Sequence, residues 1–242
     1  MICFIPTKGR INTTTYKLFE QVNIDVKHFI EPNEFDLYNV PNKVNIQQNN
    51  KGISFVRNFM LNYARENNYK WVIFCDDDIN CFYRYENGKN VKISASFWHT
   101  IKGKANDLPF ELYGINNKQL IWTSKNDYTI NKKSVEACVL MNTKKIKWEY
   151  ENNTKEDKDF ALKTIKYGNG IVKFLKIGFS TPIVGSNKGG LHEDYKQNND
   201  YKWAMSLYKN WRPFTKLYKN NKKVDVKIDF KKFANSLNKI VK

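Results

Sequence analysis

Short apolar runs and segments of helical spacing alternate along the first third of the chain. Ile2–Pro6 is a strand candidate, followed by a turn at Thr7-Lys8-Gly9-Arg10. Asn12-Thr13-Thr14-Thr15 suits the cap of a helix running to about Val22, and Val26–Ile30 reads as a second strand. Between Gly52 and Asn67, the residues Ile53, Val56, Phe59, Met60 and Tyr63 share one helical face. Trp71–Cys75 is a wholly apolar run of strand length. Strand and helix in alternation predict a parallel α/β sheet, at least through this part.

Beyond it, Tyr83, Tyr85, Val91, Ile93, Phe97 and Leu120-Ile121-Trp122 predict short strands between polar loops, and Val135–Met141 a further strand. Thr154-Lys155-Glu156-Asp157 resembles a capping start for a helix from about Lys158 to Lys166, which Gly168 and Gly170 end. Ile171–Ile177 is a strong strand. Ser186-Asn187-Lys188-Gly189-Gly190 is a Gly-rich turn leading to His192. A helix over Asp200–Lys209 follows, then Trp211-Arg212-Pro213-Phe214 and a lysine-rich tail. The expected architecture is one α/β domain over residues 1–195 with a mixed, largely parallel central sheet. A basic helical extension over 196–242 should pack on it.

Composition narrows the class. The 242 residues are 41% hydrophobic and 15% aromatic, which argues against wholesale disorder. No apolar stretch reaches bilayer-spanning length, and Met1-Ile2-Cys3-Phe4-Ile5-Pro6 lacks the design of a signal peptide, so a soluble, cytoplasmic protein is expected. Cys3, Cys75, Cys81 and Cys138 show no paired ligand spacing and read as reduced core fillers. A net charge of +17 attracts polyanions and suits salt-sensitive binding to nucleic acid. The chain is rich in Asn and Lys throughout, however, and AT-biased coding would give the same excess.

The apolar run Trp71–Cys75 stops on Asp76-Asp77-Asp78. A strand end is where α/β proteins hold ligands. Three adjacent carboxylates repel one another, and a hard divalent cation with phosphate oxygens beyond it relieves that repulsion. Acidic residues also end strands as turn formers, so the triad alone leaves both readings open. Pro6, Thr7, Lys8, Gly9 and Arg10 could shape a turn with cationic donors for a nucleotide, or be a plain surface turn. Asn50 and Gly52 precede a helix on which Arg57 could reach a diphosphate. Glu156 and Asp157 at a helix start could supply a general base, although acids favour helix N-termini anyway. His192 could complete a Mn²⁺-like site, or be an ordinary loop histidine.

In this order the pieces resemble the GT-A class of nucleotide-sugar glycosyltransferases, over roughly residues 1–195. Ile5-Pro6-Thr7-Lys8-Gly9-Arg10, Arg57-Asn58, Phe74-Cys75-Asp76-Asp77-Asp78 and Glu156-Asp157-Lys158-Asp159-Phe160 look most like the TET-associated glycosyltransferases, phage-type enzymes associated with sugar addition to hydroxymethylated pyrimidines in DNA. The resemblance implies a Rossmann-like GT-A fold, with Asp76 and Asp78 at the nucleotide sugar and its metal, and His192 completing the metal site. Asp77 is carried over as a further donor-site residue. Asp157 becomes the base of an inverting reaction, with Glu156 beside it. Mn²⁺ or Mg²⁺ and a donor such as UDP-glucose would be required, and the acceptor would be 5-hydroxymethylcytosine in DNA.

The acceptor would then account for the charge. Lys209, Arg212, Lys216, Lys219, Lys222 and Lys223, interleaved with Trp211, Phe214 and Tyr218, could grip a DNA backbone and stack a base. Equally, Trp211 and Phe214 could pack on the core. Three alternatives stand beside this reading. They are a GT-A enzyme acting on a glycan or protein, a non-catalytic nucleic-acid-binding module, and a metal-dependent nuclease.

Overall fold

The computed structural model describes residues 1–152, 155–182, 199–220 and 223–242. Its centre is a ten-stranded sheet in the order β3-β2-β1-β4-β9-β7-β10-β5-β6, with β8 paired to β10. The strands are β1 (Ile2–Thr7), β2 (Asp25–Ile30), β3 (Lys43–Asn45), β4 (Trp71–Cys75), β5 (Cys81–Glu86), β6 (Lys89–Ile93), β7 (Leu112–Asn117), β8 (Tyr128–Ile130), β9 (Cys138–Asn142) and β10 (Ile171–Ser180). The four pairings β3–β2, β2–β1, β1–β4 and β7–β10 are parallel. The five pairings β4–β9, β9–β7, β10–β5, β10–β8 and β5–β6 are antiparallel. The sheet is therefore mixed but not largely parallel. Only its first four strands follow the βαβ logic legible in the sequence.

Strand alternation sorts the core into two layers. Ile2, Phe4, Val72 and Phe74 face one side; Cys3, Ile5, Trp71, Ile73 and Cys75 face the other. Both faces are covered, which is why β4 is buried at every position and reads as a continuous apolar run. Helix α2 (Ile53–Glu66) lays Val56, Met60, Leu61 and Ala64 on the first face, beside Phe160–Leu162 and Ile165 of α4 (Glu156–Tyr167). The short α1 (Lys17–Glu20) and α3 (Phe97–Asp107) cover the second face through Phe19, Phe97, Trp98, Ile101 and Ala105.

Three segments differ from the sequence pattern. Phe97 opens a helix instead of joining a strand, because its partners Trp98, Ile101 and Ala105 recur at helical spacing. Leu120-Ile121-Trp122 lies in a 3₁₀ turn (Lys118–Thr123). The C-terminal extension is not wholly helical. After α5 (Asn199–Asn210) comes an antiparallel hairpin, β11 (Thr215–Asn220) and β12 (Lys223–Ile228), and then α6 (Phe230–Ser236). Ala204, Leu207, Trp211, Val226, Phe230 and Phe233 share the core that holds α2 and α4. Among the described residues, no helix is long and apolar enough to cross a membrane.

Candidate active site at the strand ends

One edge of the sheet gathers the predicted residues. β1 and β4 run parallel and end there at Thr7 and Cys75. Antiparallel β9 starts there, with Cys138 paired to Cys75. Asn80 N donates to Ser180 O at 2.9 Å, which fastens the loop after the triad to the end of β10.

The three aspartates have separate surroundings. Asp77 is only 5% exposed. It accepts from the Thr7 hydroxyl at 2.6 Å and pairs closely with the Arg10 guanidinium. Its backbone carbonyl accepts from the Thr13 hydroxyl at 2.6 Å, and Ile79 O accepts from the Thr15 hydroxyl at 3.0 Å. Thr13 and Thr15, which looked like helix caps in the sequence, thus clamp the triad loop. The Asp77 carboxylate, expected at the donor, is engaged within the protein by Thr7 and Arg10. Asp76 and Asp78 keep 36% and 23% of their side chains open. Burial pushes the Asp76 carboxyl up to about 7, with Arg57 opposing the rise and Asp78 adding to it.

The basic residues assigned to the nucleotide are also engaged within the protein. Arg10 Nη2 lies 3.5 Å from Asp78, while Arg10 N donates to Tyr38 OH at 2.9 Å. Gly9 N donates to Glu34 at 2.8 Å, across a turn whose glycine has φ 68°. Lys8 Nζ bonds Glu31 at 2.9 Å and the Asn50 side chain at 2.6 Å. Pro6 lies on the cavity wall, and Gly52 caps α2 at φ 84°. Arg57 does not stand free for a diphosphate. It is buried and bridges Glu156 at 2.6 Å and Asp76 at 3.1 Å. Its neighbour Asn58 bonds both backbone groups of Tyr150, at 2.9 and 2.7 Å.

Tyr150 stacks on Phe160 with ring centroids 3.8 Å apart and planes 4° apart, and Arg57 lies 5.5 Å over the same tyrosine ring. These contacts fix the start of α4. The helix begins at Glu156, earlier than the sequence pattern suggested, after Lys155 in a left-handed conformation. Glu156 is buried against Arg57, and burial pushes its carboxyl up to about 7. Asp157 is half-buried and lines a small cavity with Arg57, Asp76, Glu136 and Tyr150. Burial, reinforced by the charge of Glu136, pushes it up to about 6 against the pull of Lys158 and Arg57.

Glu136 escaped the sequence reading, because a lone acid before an apolar strand carries no motif. Its signal is positional: it precedes an antiparallel strand that starts at the site edge, and Ser134 Oγ holds it at 2.8 Å. Lys173 was missed for a similar reason, sitting inside the run Ile171–Ile177. It is buried on β10, and burial lowers its pKa while Glu136 and Asp157 raise it.

Two outward carboxylates at a strand end suit a hard cation, since Mg²⁺ and Mn²⁺ prefer oxygen ligands. His192, expected to complete the set, lies outside the described residues. Among the described residues, no group of three or more His, Cys, Asp or Glu side chains is arranged to hold a metal. Of the tail aromatics, Trp211 and Phe214 pack on the core and Tyr218 is exposed. Trp211 is buried, donates from its indole to Asp159 at 2.7 Å and meets Phe233 edge-on at 5.4 Å. Phe214 packs on the same ring at 5.1 Å.

Residues 1–190 match the family described as TET-Associated Glycosyltransferase. The chain belongs to that family and is an enzyme that transfers sugar. Curated proteins provide no match. Among solved structures, A197 from STIV is similar over 75% of this chain and 85% of its own, at 14% identity and a TM-score of 0.45, too distant a likeness to bear on function.

Proposed function

We propose that this enzyme moves a sugar, with glucose from UDP-glucose first among the donors, onto the hydroxymethyl group of 5-hydroxymethylcytosine in DNA. Asp78 and Asp76, with His192, are the residues that would hold Mn²⁺ or Mg²⁺. Bound there, the ion would supply Lewis-acid stabilisation to the departing diphosphate. The Thr7–Asp77–Arg10 cluster keeps Asp76 and Asp78 aimed outward. Asp157 takes the proton of the acceptor hydroxyl as its oxygen bonds the anomeric carbon. The bond from that carbon to the diphosphate oxygen breaks on the opposite face, and the configuration inverts. Glu156 acts at one remove, by holding Arg57 against Asp76.

The observation that carries this reading is that Asp157 and Asp76 line one cavity, with the Asp157 carboxyl raised to about 6. A general base works best with a pKa near the operating pH, where it is ionised yet still proton-hungry. The test mixes the protein with Mn²⁺, a panel of nucleotide sugars, and DNA with or without hydroxymethylcytosine, and weighs the nucleosides. A gain of one hexose on the modified DNA alone supports the proposal. A gain on neither DNA with any donor overturns the acceptor.

A further inference from the structure

Trp211 and Phe214 of the tail pack on the core, and a more exposed aromatic stands on a turn at the site edge. Trp122 and Leu120 are 60% and 50% exposed, on the 3₁₀ turn that follows β7. The turn is braced. Asn117 caps it by accepting from Gln119 N at 2.9 Å, and the Thr123 hydroxyl donates to Leu120 O at 2.8 Å. Ile121, between the two exposed side chains, is fully buried and seated on Gly178 of β10. A Cβ at Gly178 would come 2.7 Å from Ile121 Cγ2 and 3.1 Å from Lys118 N, so the contact requires glycine. Seating Ile121 inward turns Leu120 and Trp122 to water.

The register locates this pair. Asn117 pairs with Phe179, and the next residue, Ser180, pairs with Cys81, three residues after Asp78. β7 lies two strands from β4 in the sheet, a span of about 10 Å. The turn therefore rises from the same edge as the triad, on the flank away from β1.

The chain through the turn is basic. Between Lys118 and Lys133 the single acid is Asp127, already paired with Lys176 at 2.9 Å. Lys125 is exposed, whereas Lys132 and Lys133 follow β8, which runs antiparallel to β10 and ends beside Ile171, toward the opposite edge of the sheet.

We infer that Trp122, with Leu120 beside it, stacks on or wedges between bases of the DNA acceptor next to the target nucleotide, while Lys125 takes a flanking phosphate. A base inside a duplex is out of reach of an edge site, so an enzyme acting on it must take it out of the stack. A rigid apolar wedge at the same sheet edge as the triad supports the opened stack, and ring-on-base contact is tolerant of sequence. The charge selects a polyanion as the occupant over an apolar protein face. This inference rests on DNA being the acceptor.

The experiment measures binding of the full chain to a fluorescently labelled hydroxymethylcytosine duplex by anisotropy, across a salt series and without any donor. Trp122→Ala should weaken binding about tenfold or more, and Trp122→Tyr should restore most of it. Lys125→Ala should lower the salt slope by about one. Tyr167→Ala is the control, since Tyr167 is 59% exposed at the far end of α4, and it should bind like wild type. Unchanged affinity in Trp122→Ala, or an equal loss in Tyr167→Ala, overturns the inference. An acidic protein competing equally with DNA only while Trp122 is present also overturns it, by assigning the surface to a protein. Because no sugar donor is used, a failure of sugar transfer in the wild type is a separate result.

Discussion

Arg57 and Glu156 lie 99 residues apart in the chain and 2.6 Å apart in the fold. The pair joins α2 to the first turn of α4, and the second nitrogen of Arg57 reaches Asp76 at 3.1 Å. One guanidinium thus sets the spacing between the triad and the proposed base. A lysine has a single cationic nitrogen and cannot span both carboxylates.

Breaking this pair should be costly, because Glu156 would be left buried and unpaired. Arg57→Ala should lose about 3–5 kcal/mol of stability by urea unfolding. Arg57→Ala combined with Glu156→Gln should recover a large part of it, since the orphaned charge is gone. No recovery in the double variant would mean that the arginine acts through packing on Tyr150 instead.

Adjacent aspartates should fail in different ways. Asp77→Ala removes the partner of the half-buried Arg10 and of the Thr7 hydroxyl, and should destabilise the fold by about 3 kcal/mol. Asp78→Ala, at a more open position, should unfold nearly as wild type does while losing the thermal shift produced by Mn²⁺ with a nucleoside diphosphate. Thermal melts with and without Mn²⁺ and UDP check both. An equal fall in stability for the two variants would refute the division of roles.

The pH profile should report Asp157. With its carboxyl raised to about 6, kcat/KM should climb as pH rises through about 6 and level off above, and Asp157→Asn should lose about a hundredfold or more. The same shifts bear on stability with the opposite slope. Asp157, Asp76 and Glu156 bind protons more tightly folded than unfolded. The stability they contribute is full below about pH 4 and is lost as pH rises through about 6 to 7. Glu156→Gln should therefore flatten the fall in denaturation midpoint between pH 5 and pH 8 in metal-free buffer.

Trp211 should matter for folding and not for DNA. Trp211→Phe keeps most of the packing but removes the indole donor to buried Asp159, which should cost about 1–3 kcal/mol. Its affinity for DNA, read by anisotropy at a temperature where the variant is folded, should match wild type.

The strands β1, β2, β4 and β10 and the helices α2, α4 and α5 were legible in the sequence, because burial imprints a period on residues that are neighbours in the chain. The triad was legible as well, since a fully buried strand ending in carboxylates is a local signal. Local pattern could not tell which aspartate turns inward. Asp77 does so because Thr7, Arg10 and Thr13, more than sixty residues earlier, meet it across β1 and β4. Glu136 and Lys173 were invisible because their meaning lies in strand direction and in neighbours on other strands. The hairpin β11–β12 was hidden in a lysine-rich tail whose alternation is blurred by charge. The sequence by itself determined the α/β core and the family. Only the tertiary structure decided which of the site's groups face the cavity and which are spent on one another, because pairings across a hundred residues leave no trace in local periodicity.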